Sequence, residues 1–202
     1  MLASTLLYLG GMERCEKDYS LEYSALVLAL LMAAPVPAGE IHTPASLLER
    51  IEAQAAQELP ARWKAQAPEL AAAVVRESLS QDLDARLILA VIAHESKFNP
   101  DAVGSHGEIG LMQILPMTGK WIAKKNGIAW SGRSTLVNPK TAIRIGTAYL
   151  VMLKQKYGTR TDLVLSAYNM GATNVARLLN QGKVPHEYAN KVMKQYGRFA
   201  AL

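Results

Sequence analysis

Cysteine is almost absent from this 202-residue chain, which contains a single cysteine at Cys15. Cys15 precedes the apolar run of residues 25–34, so a chain cut after that run contains no cysteine at all. Disulfide bonds and cysteine-ligated zinc are then excluded. Because Cys15 lies upstream of the run, it is also not placed to become a lipid-modified N-terminus.

Apolar runs long enough to cross a membrane are missing as well. Residues 25–34 form a run of ten, too short for a bilayer but suited to the core of a signal peptide. Val36 and Ala38 are small residues at positions −3 and −1 of a cut after Ala38. Residues 12–22 are more acidic than such leaders usually are, and the pattern leaves open whether the leader is cleaved. We predict an exported protein.

Charged and aromatic residues are sparse, at 19% and 6% of the chain, whereas half of it is hydrophobic. Such a composition can build a core and argues against wholesale disorder. The net charge of +5 favours anionic partners, which include nucleic acid, acidic membranes and anionic cell-wall polymer. The chain has no Lys/Arg run and no basic-aromatic interleaving, so we predict no nucleic-acid partner.

Alternating strand patterns and internal repeats are absent too, and helical periodicity dominates. We predict an all-α fold, with at most one tiny hairpin in the glycine-rich loop after residue 99. Three parts are expected: a leader at 1–38, an N-terminal helical extension at 39–67, and a main domain at 68–202. The extension is expected either to cover the core or to dock to a partner.

Glu95 continues the apolar stripe of a helix that Asp82 or Asp84 can cap. Burial penalises the charged form of a carboxyl, so Glu95 should resist ionisation, as general-acid chemistry requires. The alternative is that Glu95 simply bends into solvent at the last helical turn. His94 points off the stripe and is interpreted as a surface or otherwise satisfied histidine.

Three segments together resemble the signature motifs of lytic transglycosylases with a goose-type lysozyme-like fold. They are Glu95-Ser96, Gly110-Leu111-Met112-Gln113 and Ala167-Tyr168-Asn169-Met170-Gly171. Asn138-Pro139, Gly146, Tyr149-Leu150 and Tyr188 with Lys191-Val192 resemble further parts of that family. The resemblance covers roughly residues 70–197.

This resemblance implies cleavage of the β-1,4 bond between N-acetylmuramic acid and N-acetylglucosamine in peptidoglycan. It therefore also implies a location in the bacterial periplasm or cell envelope. The implied product ends in 1,6-anhydromuramic acid, is made without water, and needs no metal or cofactor. Glu95 would be the single catalytic acid/base of a protein that is expected to be a monomer. The remaining site residues implied are Ser96, Met112, Gln113, Tyr149, Tyr168, Asn169 and Tyr188.

The inventory of acidic residues agrees with a single-acid mechanism. Ordinary retaining and inverting glycosidases need two carboxyl groups, whereas substrate-assisted ones do without a protein nucleophile. Asp101, Glu108 and Asp162 are the candidate second carboxylates, and none lies on a stripe like that of Glu95. The N-acetyl group and the 6-hydroxyl of muramic acid could stabilise and attack the reacting carbon.

Two departures from the family pattern concern the details of the site. Gly104 stands where family members often have serine, with Ser105 next to it as a possible substitute. The Glu-Thr pair that commonly precedes the last tyrosine is replaced around Val184-Pro185.

Other functions remain open at this point. One is a hydrolytic muramidase on the same fold. Another is a catalytically silent peptidoglycan-binding component of a secretion or conjugation apparatus, and a third is a hydrolase of chitin-type glycans.

Overall fold

Helices account for nearly all regular structure in residues 44–202, the part of the chain that the computed structural model describes. This part of the chain contains nine α-helices, one 3-10 helix at Ala61–Gln66, and no β-strand. The isolated bridges Val103–Ile109 and Ile109–Ile114 form the tiny hairpin-like element expected after Glu95. The all-α prediction is confirmed. The α-helices are α1 Pro44–Glu58, α2 Ala67–Gln81, α3 Ala85–Glu95, α4 Pro116–Lys125, α5 Arg133–Val137, α6 Pro139–Tyr157, α7 Thr161–Met170, α8 Ala172–Asn180 and α9 Glu187–Arg198.

The predicted leader at 1–38 lies outside the described residues. Across the described part, no helix combines the length and apolar character that a membrane span requires.

Helix α3 lies in the core and packs against α2 and α9. The Asp84 carboxylate accepts a hydrogen bond from the Arg86 N–H and caps the start of this helix, as one of the two predicted options. Asp82, the other option, instead ends α2 in a left-handed conformation at φ 50°. The five residues of α3 from Ile88 to Ile92 are all fully buried, so the helix is held in place by the core. The position of its last residue, Glu95, is thereby fixed.

The N-terminal extension covers the core rather than standing apart from it. Helix α1 packs on α2 and buries Ile51, Ala55 and Leu59 almost completely. At its end, Glu58 accepts a hydrogen bond of 2.6 Å from Arg198 of α9. Of the two expectations for this segment, covering the core is therefore the one the structure supports.

The segment from Gly110 to Gln113 approaches its neighbours so closely that glycine is required in two places. Gly110 adopts φ +81°, and a Cβ there would overlap the Leu136 carbonyl oxygen. A Cβ at Gly146 of α6 would overlap the Met112 sulfur. Gly110 thus lets the segment approach α5, and Gly146 lets α6 approach Met112.

Candidate active site

Glu95 is the last residue of α3, and its carboxyl group is mostly shielded from water. The pKa of Glu95 is raised to about 7, mainly because burial penalises the charged carboxylate, and the negative charge of Glu108 contributes to the rise. The Tyr188 hydroxyl opposes this rise by donating a short hydrogen bond to Glu95 Oε1. Glu95 therefore retains a proton at pH values where an ordinary glutamate is ionised. The direction of this shift agrees with the expectation that Glu95 resists ionisation.

Two further tyrosines of the predicted site, Tyr149 and Tyr168, pack against each other. The Tyr168 hydroxyl donates a 2.9 Å hydrogen bond to the Met112 carbonyl oxygen, and the ring centroids of Tyr149 and Tyr168 are 5.2 Å apart. Burial raises the pKa of Tyr168 well above its usual range, and the charge of Glu95 adds to the rise. Tyr168 is consequently a neutral phenol that ties the Met112 segment to α7.

Gln113 faces the loop that follows Glu95. Its side-chain amide donates hydrogen bonds to the Ala102 and Gly110 carbonyl oxygens, at 3.2 and 3.0 Å. Both contacts use the NH2 group, so the side-chain carbonyl oxygen of Gln113 is left to accept hydrogen bonds. This arrangement gives the site an oriented acceptor.

Gly104, one of the two departures from the family pattern, has a structural explanation. A Cβ at this position would overlap the Glu108 carboxylate and lie 2.7 Å from the Gln113 carbonyl oxygen. A serine therefore requires both side chains to move. Ser105 is exposed, and its hydroxyl lies 3.1 Å from His106 Nδ1.

The other predicted residues fall into two groups. Ser96 and Met112 are buried: the Ser96 hydroxyl donates to the Ile92 carbonyl oxygen at 3.1 Å, and Met112 packs against Gly146. Asn169 is exposed at the end of α7. The structure thus brings Tyr188 into contact with Glu95 and Tyr168 close enough for the Glu95 charge to affect its pKa. Gln113 directly follows Met112, whose carbonyl oxygen accepts the hydrogen bond from Tyr168.

The three candidate second carboxylates differ in their surroundings. Asp101 accepts hydrogen bonds from Arg62 and Trp63, and Asp162 forms a 2.7 Å ion pair with Arg160. Glu108 is the member of the three whose charge acts on Glu95. Burial raises the pKa of Glu108, but backbone N–H groups and His106 outweigh it, so its pKa is lowered and it is ionised at neutral pH.

A pocket of about 410 Å³ opens beside Tyr188. His94 and Lys191 line it together with Asn169, although neither His94 nor Lys191 was predicted to belong to the site. The His94 ring meets the Tyr188 ring edge-on at 5.1 Å, and His94 is half-buried rather than on the open surface. The position of His94 directly before Glu95 was the one signal in the sequence that could have indicated a place in this pocket.

No group of three or more metal-ligating side chains occurs within residues 44–202.

Fold and site together define a class: an all-α, lysozyme-like domain in which a core helix ends at a partly buried carboxylic acid. The family of transglycosylase SLT domains matches residues 72–191, more than half of the chain. The chain belongs to that family.

Known relatives agree with this assignment. A Haemophilus influenzae protein named as a soluble lytic murein transglycosylase is 39% identical over 93 residues, which is 46% of this chain and 16% of that protein. The chain therefore spans only a small part of the relative's length.

Two solved structures are similar in fold. An inactive mutant of the lytic transglycosylase Slt from Pseudomonas aeruginosa aligns with a TM-score of 0.60 at 23% identity, covering 80% of this chain and 31% of that one. The 70 kDa soluble lytic transglycosylase of Escherichia coli aligns with a TM-score of 0.55 at 23% identity, covering 76% and 28%.

Proposed function

We propose that this protein is a peptidoglycan lytic transglycosylase. It cleaves the β-1,4 bond between N-acetylmuramic acid and N-acetylglucosamine and leaves 1,6-anhydromuramic ends. The observation that carries the proposal is the Glu95 carboxyl group, which is mostly shielded from water, has a pKa of about 7, and receives a hydrogen bond from Tyr188. An acid whose pKa lies near the working pH can both give and take a proton efficiently.

The reaction needs one protein carboxyl group. Protonated Glu95 gives its proton to the glycosidic oxygen, so the bond to the muramic C1 breaks and N-acetylglucosamine leaves with a free hydroxyl. The N-acetyl group of the muramic residue stabilises the positive charge at C1. The muramic 6-hydroxyl then bonds to C1, and its proton returns to Glu95. While Glu95 is a carboxylate, the Tyr188 hydroxyl stabilises its charge.

Other residues have roles in binding and support. Gln113 offers its carbonyl oxygen to a sugar N–H or hydroxyl, and Asn169 lies exposed where a glycan strand can reach it. Tyr168 and Tyr149 hold the Met112 segment against α6 and α7. Ser96 ends α3 directly after the acid.

The proposed substrate also sets the place of action, because peptidoglycan lies outside the cytoplasmic membrane. The protein acts in the periplasm or cell envelope after export by the leader at 1–38. It contributes there to murein turnover or opens the wall for a secretion or conjugation apparatus. The chain works as a monomer, and its basic surface suits an anionic wall polymer.

Product analysis on purified sacculi tests the proposal. Wild type should release muropeptides that end in 1,6-anhydromuramic acid, and Glu95→Gln should release none while still binding the sacculi. Reducing ends from wild type would mean a hydrolytic muramidase, and no release at all would mean a silent wall-binding protein. Arg177→Gln, an exposed change on α8, is the control that should retain full activity.

A further inference from the structure

One long stretch of the chain carries positive charge without any acid. Residues 109–161 contain nine lysines and arginines but no aspartate or glutamate. Two of the nine form ion pairs, Lys154 with Asp82 and Arg160 with Asp162. The other seven are exposed and form no ion pair within residues 44–202: Lys120, Lys124, Lys125, Arg133, Lys140, Arg144 and Lys156. The charge of these seven side chains is available to a partner.

The fold keeps most of this charge together. Six of the seven cations lie on α4, on α5 and in the first two turns of α6. Helix α6 packs against both α4 and α5, and α4 also contacts α5. These helices therefore form one basic region of the molecule.

Helix α4 combines lysines with large apolar side chains on its solvent side. Gly119, Ile122 and Ala123 are buried, whereas the opposite side of the helix is exposed. We call this side the α4 face; its members follow one another at the spacing of one helical face and are Met117, Lys120, Trp121, Lys124 and Lys125.

The apolar members of the α4 face are unusually open to water. Met117 is 85% exposed and Trp121 is 50% exposed. The Lys125 ammonium group lies 5.5 Å from the centroid of the Trp121 ring. The face thus places two large apolar side chains among three ammonium groups.

This combination distinguishes between kinds of anionic partner. A dissolved polyanion can neutralise the lysines, but it leaves the Met117 side chain in water. The surface of an anionic bilayer offers phosphate groups to the lysines and an apolar boundary to Met117 and Trp121. Tryptophan is enriched at membrane interfaces, because its ring is apolar while its N–H stays hydrated.

We propose that the α4 face is a docking surface for the anionic headgroups of a lipid bilayer. The three lysines bind lipid phosphates, and Met117 and Trp121 enter the headgroup layer. The cations of α5 and α6 strengthen the attraction. This inference goes beyond the proposed function and is independent of it, since vesicle binding is measured without turnover.

Vesicle flotation at about 0.1 M salt tests the proposal. Wild type should partition at least about a hundredfold more strongly onto vesicles of phosphatidylglycerol and phosphatidylcholine than onto phosphatidylcholine alone. Lys120→Gln/Lys124→Gln/Lys125→Gln should lower partition onto the anionic vesicles about a hundredfold, because each lysine at such a surface contributes about a factor of five.

The matched control removes the same charge elsewhere. Lys64→Gln/Lys183→Gln/Lys194→Gln replaces three exposed lysines outside residues 109–161. This variant should bind the anionic vesicles within about threefold of wild type, since salt screens charges that lie away from the contact.

Lipids brominated on their acyl chains provide a second readout, because they quench a tryptophan that enters the bilayer. Wild-type fluorescence should be quenched. Trp121→Leu keeps an apolar side chain, so it should still bind but lose most of the quenching. The other two described tryptophans lie elsewhere: Trp63 donates a hydrogen bond to Asp101, and the Trp130 ring lies against Gly119 on the buried side of α4.

Three results would overturn the inference. One is equal partition of wild type onto the two kinds of vesicle, or binding to neither. Another is a control variant that loses as much binding as the α4 variant. The third is tight binding of soluble polyphosphate by wild type without quenching by brominated vesicles, which would identify a dissolved polyanion as the partner.

Discussion

Replacing Tyr188 by phenylalanine should shift the pH dependence of cleavage to higher pH. The Tyr188 hydroxyl donates its hydrogen bond to Glu95 and lowers the pKa of that carboxyl by stabilising the charged form. Tyr188→Phe removes this donor but keeps the ring that packs edge-on against His94. The carboxylate loses its stabilisation, so the pKa of Glu95 should rise above about 7.

The size of the shift follows from the strength of the lost bond. A hydrogen bond to a charged group contributes about 1.5–3 kcal/mol, and about 1.4 kcal/mol corresponds to one pH unit. The alkaline limb of the profile should therefore move upward by about one to two pH units. That limb marks deprotonation of Glu95, because only its protonated form can protonate the leaving oxygen.

The assay is kcat/KM for anhydro-product formation on soluble glycan strands between pH 5 and 10, since kcat/KM reports the pKa values of the free enzyme. Tyr196→Phe is the matched control: it lies on the same helix, and its hydroxyl contacts Asp84 instead of Glu95. The control should leave the limb in place. An unchanged limb in Tyr188→Phe, or a limb at lower pH, would refute this reasoning.

Three further outcomes are expected. The raised pKa of Glu95 means that the folded state keeps a proton that the unfolded state releases near pH 4.5, so stability is lost as pH rises from about 4.5 to about 7. Glu95→Gln should therefore raise the free energy of unfolding, measured in urea, by up to about 3 kcal/mol at pH 8 and by little at pH 4. Glu108→Gln removes a nearby negative charge, so anhydro-product formation should persist while the alkaline limb moves down by less than about one pH unit; loss of all activity would give Glu108 a role in the reaction. The new methyl group of Gly110→Ala would collide with the Leu136 carbonyl oxygen, so this variant should lower the free energy of unfolding in urea by more than about 3 kcal/mol. Gly107→Ala, also at positive φ but in open space, should lower it by about 1–2 kcal/mol.

The helical fold and its acid were predictable because they depend on local patterns. The apolar stripe that ends at Glu95 depends on residues within two turns of α3. Asp84, directly before the helix, caps it through the N–H of Arg86, two residues further on. Periodicity and capping are properties of short segments, so sequence reasoning reaches them.

The electrostatics of the site could not be predicted in the same way. Tyr188 reaches Glu95 across 93 residues of chain, and the same fold brings His94 and Lys191 to one pocket. His94 was interpreted as a surface or satisfied residue because its helical position points off the stripe, yet α9 packs over it. Such contacts are set by tertiary packing, which helical spacing does not contain.

The packing of α1 depends on the fold in a similar way. Its apolar residues predict a helix with a buried face, but they do not say whether that face meets this chain or a partner. Only the position of α2 in the fold decides that Ile51, Ala55 and Leu59 become part of the core.

The central claim is that Glu95 acts without a water nucleophile, and cleavage in H₂¹⁸O tests it most directly. Sacculi digested by the wild-type protein in labelled water, and analysed by mass spectrometry, should yield 1,6-anhydromuramic ends that contain no ¹⁸O. Reducing muramic ends that carry ¹⁸O at C1 as the main product would contradict the account.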